Sequence, residues 1–141
     1  MKDFNEYFKK QGSLYLKDIN FELITLETSP TKSKVVFKDS VDVVIDGQER
    51  LLKVIFTRYV SYVPKSLYEL SVSFGAIYSF KDEIHEIEKL DGDIFKDMLT
   101  ENRNNLFINI ISRSSLLISQ ISSSHGAAPL ITPPTFIKQT T

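Results

Sequence analysis

The chain has 141 residues, 42% hydrophobic and 25% charged, with a net charge of −1 and no cysteine. That length supports one domain whose core needs no staple, and the missing thiols exclude disulfides, thiolate zinc sites and cysteine nucleophiles. Near-neutral charge gives no overall pull toward nucleic acid or an anionic membrane, and no cluster of Lys or Arg stands out along the chain.

The opening M-K-D-F-N-E-Y-F-K-K-Q-G lacks the apolar core of a secretory signal. The longest apolar stretch, Leu106 to Ile121, is interrupted by Asn109, Ser112, Arg113, Ser114 and Ser115, which excludes a bilayer span. A soluble, cytoplasmic protein is expected, with no direct membrane insertion and no nucleic-acid partner.

Taken in order, residues 1–12 read as a flexible polar lead-in, with room for a helical turn or two around Phe4, Tyr7 and Phe8. A first strand follows in L-Y-L-K-D-I-N-F-E-L-I. Its alternation sets Lys17, Ile19, Phe21 and Leu23 on one face and Asp18, Asn20 and Glu22 on the other. After the turn-rich T-S-P-T-K-S, a second strand runs from about Lys34 to Asp46. In it Val35, Phe37, Val41, Val43 and Ile45 alternate with Lys38, Ser40, Asp42 and Asp46. Asp46-Gly47 predicts a tight type I′ hairpin into a third strand, Leu51 to Val63. The turn Val63-Pro64-Lys65-Ser66 leads to a fourth, Leu67 to Phe80. Three short connections in succession favour antiparallel neighbours.

The charged K-D-E-I-H-E-I-E-K-L reads as a loop or loose helical turn, and Asp93 as the cap of a short helix, I-F-K-D-M-L-T-E-N. The main helix is expected from about Asn105 to Ser123, ending at Gly126, with Pro129, Pro133 and Pro134 excluding helix afterwards. Residues 1–141 thus form a single α+β domain: a four-stranded antiparallel sheet, a long C-terminal helix packed on one face, and a proline-rich tail over 127–141.

Several surfaces stand out. Leu106, Phe107, Ile110, Ile111, Leu117, Ile118 and Ile121 cover a wide arc of the long helix. One side is expected on the sheet and the other, with serines permitting close approach, against another subunit. Val35, Phe37, Val41 and Val43 read as core unless part of the stripe lies beyond the helix cover. Leu130, Ile131 and Phe136 sit in a proline-stiffened loop that loses little entropy on presenting apolar side chains. Asp18 and Glu22 lie roughly 13 Å apart on one strand face, too far for cooperating catalytic carboxylates. His85 and His125 are the only histidines, far apart in sequence and without thiolates beside them, so no metal site is expected. Ser122, Ser123 and Ser124 end a helix, where capping explains them. No G-x-S-x-G, Walker loop or dinucleotide fingerprint occurs, so no catalytic residue and no cofactor are assigned.

Three motifs in order carry a resemblance: Y-L-K-D-I-N-F-E, then Y-E-L-S-V-S-F-G-A-I-Y-S-F, then H-G-A-A-P-L-I-T-P-P-T-F after the long helix. Over most of residues 14–137 the chain resembles the SecB-type protein-export chaperones and their toxin–antitoxin-associated relatives. The resemblance implies a four-stranded antiparallel sheet backed by a long helix, and a homotetramer built as a dimer of dimers. It also implies no nucleotide or cofactor, with unfolded or precursor polypeptides, or one antitoxin, held in apolar grooves, for which Val35, Phe37, Val41, Val43, Leu130, Ile131 and Phe136 are the candidate client-binding residues. In export members an acidic patch docks SecA; Asp18 and Glu22 match its first-strand pair. Ser71 stands where the fourth-strand acid is expected, and Glu69 lies two residues earlier on the same face. The family's Phe/Tyr-Pro-Tyr helix start is absent, with Ser112 and Arg113 there. The function expected is an ATP-independent holdase; the alternative is a SecB-fold scaffold that has lost general chaperone activity.

Overall fold

A computed structural model describes residues 3–25, 32–101, 104–124 and 128–138 of the chain. A single helical turn, α1 (Phe4–Tyr7), runs straight into β1 (Phe8–Leu23), followed by β2 (Lys34–Asp46), β3 (Leu51–Val63) and β4 (Tyr68–Phe80). A short 3-10 turn (Ile87–Lys89), α2 (Gly92–Thr100) and α3 (Asn105–Ser123) complete the regular elements. The expected α+β architecture is what the chain forms.

The strands make one antiparallel sheet in the order β1-β4-β3-β2. Two of the short connections are hairpins, but β1 lies beside β4 rather than β2. The segment 24–33 therefore joins strands at opposite edges, giving a Greek-key order. The central place of β4 suits its sequence: Tyr68, Leu70, Val72, Phe74, Ala76, Tyr78 and Phe80 are all buried on the helix side.

The Asp46-Gly47 turn departs from expectation. The loop holds four residues, 47–50; Asp46 Oδ1 accepts from the Glu49 amide at 3.0 Å, and the positive φ falls on Arg50. Arg50 is held there because its Nη2 donates to the carbonyls of Lys81 and Ile84, both at 2.8 Å. The cap of α2 also shifts, from the expected Asp93 to Asp91, whose carboxylate accepts from the Asp93 amide. Asn104 caps α3 by accepting from the Phe107 amide at 2.9 Å. The expected stop at Gly126, and His125 beside it, lie outside the described residues.

The lead-in is not loose. Strand β1 begins six residues before the L-Y-L motif, because the N-terminal aromatic residues have a core to enter. Phe4 and Phe8 are buried in a ring cluster with Tyr78, Phe80 and Phe95, with Phe4–Phe8 centroids 4.5 Å apart and Phe8–Phe95 5.2 Å apart. Edge-to-face pairs of this kind add about 0.5–1.5 kcal/mol each beyond burial, enough to hold a short polar segment. Phe95 ties α2 to both the lead-in and β4, so Phe95→Ala is expected to cost about 3–5 kcal/mol in denaturant unfolding. Ile94→Ala, on the exposed side of α2, is expected to change stability by less than about 1 kcal/mol.

Candidate functional site

The helix-side face of the sheet is divided. Helix α3 lies along β4 and reaches β3, burying Phe107, Ile110, Ile111 and Ile118 against the sheet. On one flank, β2 and β3 are covered by α2 and by the tail, residues 128–138. On the other flank, β1 is left open from Leu16 onward.

That open flank owes its shape to a bulge. Leu16 pairs with Phe74 and Asp18 with Ser73, so Lys17 is an extra residue in the ladder. Without the bulge, simple alternation would put Leu16 and Ile19 on opposite faces. With it, Leu16, Ile19, Phe21 and Leu23 stand in register with Phe74, Val72, Leu70 and Tyr68 on the helix side. They are 49%, 40%, 37% and 62% exposed. The Phe21 ring lies 5.5 Å from that of Tyr68, whose hydroxyl accepts from Tyr62 at 3.2 Å. The far edge of β1 pairs with no strand among the described residues. Among the described residues, four apolar side chains thus stand exposed in a row beside a strand edge that no described strand pairs with.

The covered flank is locked by a charge. Arg58 on β3 faces Asp39 directly across the β2–β3 ladder, and both side chains are fully buried. Nε donates to Asp39 Oδ1 at 2.8 Å and Nη2 to Oδ2 at 2.7 Å, a two-pronged pair. The remaining donors are used by the tail and α3: Nη1 reaches Ser115 Oγ and Thr132 Oγ1, each at 3.0 Å, and the Pro133 carbonyl, while Nη2 reaches the Thr135 carbonyl at 2.9 Å. Asp39 Oδ2 also accepts from the Ile137 amide at 2.8 Å, and Ser122 Oγ from the Leu130 amide. The tail is thus a strap, pinned at 130, 132–135 and 137.

These features place the residues singled out by sequence. Of the client-binding set, Val41 is interior, whereas Val35, Phe37, Val43, Leu130 and Phe136 are half-buried against the core; Phe136 packs 6.2 Å from Phe56. Ile131 alone of that set projects, 77% exposed. Of the seven helix residues expected at a subunit interface, Phe107, Ile110, Ile111 and Ile118 are fully buried inside this chain, and Leu106, Leu117 and Ile121 pack partly on its core. The strap and sheet absorb most of the arc, which changes that expectation: the four interior residues have no surface to offer a partner. Leu116, 60% exposed, is the apolar residue the helix shows to solvent.

Asp18, Glu22 and Glu69 share the opposite, outer face, where Glu22 pairs with Glu69 across the β1–β4 ladder while Asp18 stands opposite Ser73, four residues along each strand. Lys65 lies 3.7 Å from Glu69. Partial burial, then the hydrogen bond and negative charge of Glu69, hold the Tyr59 phenol above its usual range. His85 is exposed, and no group of acidic residues and histidines able to hold a metal occurs among the described residues. Ser123 and Ser124 donate to carbonyls three residues back in α3, as helix-end serines do.

No protein-family model and no curated protein matches the sequence. Among solved structures, the fold matches the SecB-like chaperone of Mycobacterium tuberculosis in complex with a ChAD peptide from the HigA1 antitoxin. That match has a TM-score of 0.59 and 11% identity, over 86% of this chain and 83% of the other. A protein of unknown function from Streptococcus agalactiae aligns over 86% of this chain and 93% of its own at 12% identity, with a TM-score of 0.39, too low to argue from. The chain therefore has a SecB-like fold. No described helix is long and apolar enough to cross a membrane.

The Arg58 site carries a stability prediction. Arg58→Leu or Asp39→Leu alone leaves one buried charge unpaired and is expected to cost about 3–5 kcal/mol in chemical denaturation. The double replacement is expected to cost clearly less than the sum of the two. Additive losses would show that the two side chains act independently.

Proposed function

We propose that the chain is an ATP-independent holdase that binds extended, non-native polypeptide along the open margin of β1. The observation that carries this reading is the exposed row Leu16, Ile19, Phe21 and Leu23 beside an unpaired strand edge. Such an edge offers main-chain hydrogen bonds to any extended segment, and the row offers apolar contact without a sequence code. The SecB-like fold supports it, since the M. tuberculosis neighbour holds an antitoxin peptide. Secretory precursors and a dedicated antitoxin are the two client classes that follow. Ile131, with Leu130 and Phe136 behind it, and the β2 stripe of Val35, Phe37 and Val43 are secondary contacts on the far flank.

Magnitudes favour several linked copies, as in the homotetramer the resemblance implies. Covering the exposed half of four large apolar side chains is worth roughly 3–6 kcal/mol. Association and ordering oppose this by about 4–15 kcal/mol. One margin therefore binds marginally, and linked margins on one long client gain from effective concentration. Leu106, Leu117, Ile121 and Leu116 are the helix residues left to line such an assembly. A second reading, a SecB-fold scaffold without general chaperone activity, draws on the strap, which removes half of the helix-side face from use.

Suppression of light scattering by a chemically denatured test protein separates the two. The holdase reading expects suppression at stoichiometric amounts, weakened about tenfold or more by Leu16→Asp with Phe21→Asp while far-ultraviolet circular dichroism is unchanged. No suppression of any substrate, or full suppression by the double variant, would remove the β1 margin as a client site. The outer acidic face is the candidate SecA dock. Asp18→Lys with Glu22→Lys and Glu69→Lys is expected to abolish SecA binding measured at low salt, and unchanged affinity would remove that role.

A further inference from the structure

Where α1 and the start of β1 meet the end of β4 and the first turn of α3, a cavity of about 460 Å³ opens to solvent. Its size falls in the range of small-ligand sites. Two kinds of chemistry line it. Phe4, Phe8 and Leu106 supply an apolar wall, and Lys9, Lys10 and Lys81 are its cationic residues, with no carboxylate among the described lining residues. Lys9 also lies 3.5 Å from the exposed Asp82, so among the described residues Lys10 and Lys81 are the lining cations without an ion-pair partner.

Tyr78 marks the cavity as unfinished. Its side chain lines the cavity and is 3% exposed, yet its hydroxyl is the buried side-chain polar atom without a hydrogen-bond partner among the described residues. A buried hydroxyl left unpaired costs about 1–3 kcal/mol, so such groups in native folds generally meet an acceptor that is not the protein's own. Burial raises the Tyr78 phenol well above its ordinary range, which keeps it protonated and a donor at neutral pH. Asn105 and Leu106 of the first turn of α3 also line the cavity, and that turn of the 19-residue helix carries no acidic side chain.

The geometry points to a binding site for an apolar group ending in a carboxylate, with the carboxylate among Lys10, Lys81 and Tyr78 and the apolar body against Phe4, Phe8 and Leu106. The carboxylate has two sources, a short fatty acid or the C-terminal residue of a polypeptide. The site is separate from the β1 margin and does not depend on the holdase reading.

Calorimetric titration of the full chain with sodium octanoate and with acetyl-Val-Leu free acid, each against its neutral amide, tests this. At least one acid is expected to saturate at millimolar concentration or below and to bind about tenfold or more tighter than its amide. Saturation by octanoate alone supports the site and assigns the lipid-type source; saturation by the dipeptide acid alone supports it and assigns a chain terminus. Tyr78→Phe is expected to weaken binding about fivefold or more while leaving the unfolding midpoint unchanged or raised, since it removes an unpaired hydroxyl. A structural tyrosine would instead lower that midpoint. Lys10→Gln, at an exposed position, is expected to weaken binding and flatten its salt dependence. The assignment is overturned if neither acid saturates, if the amides bind as well as the acids, or if both variants bind like the parent chain.

Discussion

A guanidinium with no exposed surface sits in the dry face of the sheet, and much of the architecture serves to satisfy it. Taking such an ion out of water costs several kcal/mol, recovered only when its donors are all met in good geometry. Strand β2 supplies the carboxylate of Asp39, α3 the hydroxyl of Ser115, and the tail a hydroxyl and two carbonyls. Three segments distant in sequence are thereby fixed to one atom group. Compared with a packed apolar pair of equal volume, the ion pair adds little net stability. What it adds is direction, because a planar fork accepts partners at set angles and so holds the strap in one register.

That lock explains why the two flanks of α3 differ. On the β3–β2 flank the strap cannot lift without stranding a buried charge, so this half of the face behaves as interior. Leu130 and Phe136 look like presented side chains in sequence, yet they end half-buried because the strap is held against the sheet. On the β1 flank no comparable anchor exists. The bulge at Lys17 gathers Leu16 with Ile19, Phe21 and Leu23 on the helix side, where they stay 37–62% exposed. The exposed apolar row lies on a strand, whereas the sequence points to the long helix.

Much of this was legible from residues alone. Period-two alternation located β2, β3 and β4 to within a residue or so, and the apolar arc with its trailing prolines located α3. The acidic trio Asp18, Glu22 and Glu69 was legible because strand periodicity and register are regular there. Three things were not. The bulge leaves no local mark, since one inserted residue changes a face without changing composition. The aromatic lead-in was masked by its lysines and by Gln11, although Phe4, Tyr7 and Phe8 hold hydrophobic mass that a polar average hides. The Arg58–Asp39 pair did leave a signal: in V-I-F-T-R-Y-V and V-V-F-K-D-S-V, each charge falls in phase with apolar neighbours. A charge in phase with a core stripe must be paired, and reading the two strands together points to each other's partner.

The geometry of β1 also bears on how one strand can serve two partners. Main-chain donors and acceptors at a sheet edge lie in the plane of the sheet, whereas side chains stand nearly perpendicular to it. A neighbour that pairs with the edge of β1 therefore need not hide Leu16, Ile19, Phe21 and Leu23 on the helix side. It would extend the sheet beside them and turn an exposed row into the floor of a groove with α3 as one wall. Among the described residues the outer edge of β1, sixteen residues long, stays unpaired, an aggregation hazard that the charges at Lys9, Lys10, Lys17, Asp18 and Glu22 blunt without closing it. Edge pairing and apolar capture thus draw on different atoms of the same strand. The proposed client site therefore uses both, main-chain pairing at the edge and apolar contact on the row, without one displacing the other.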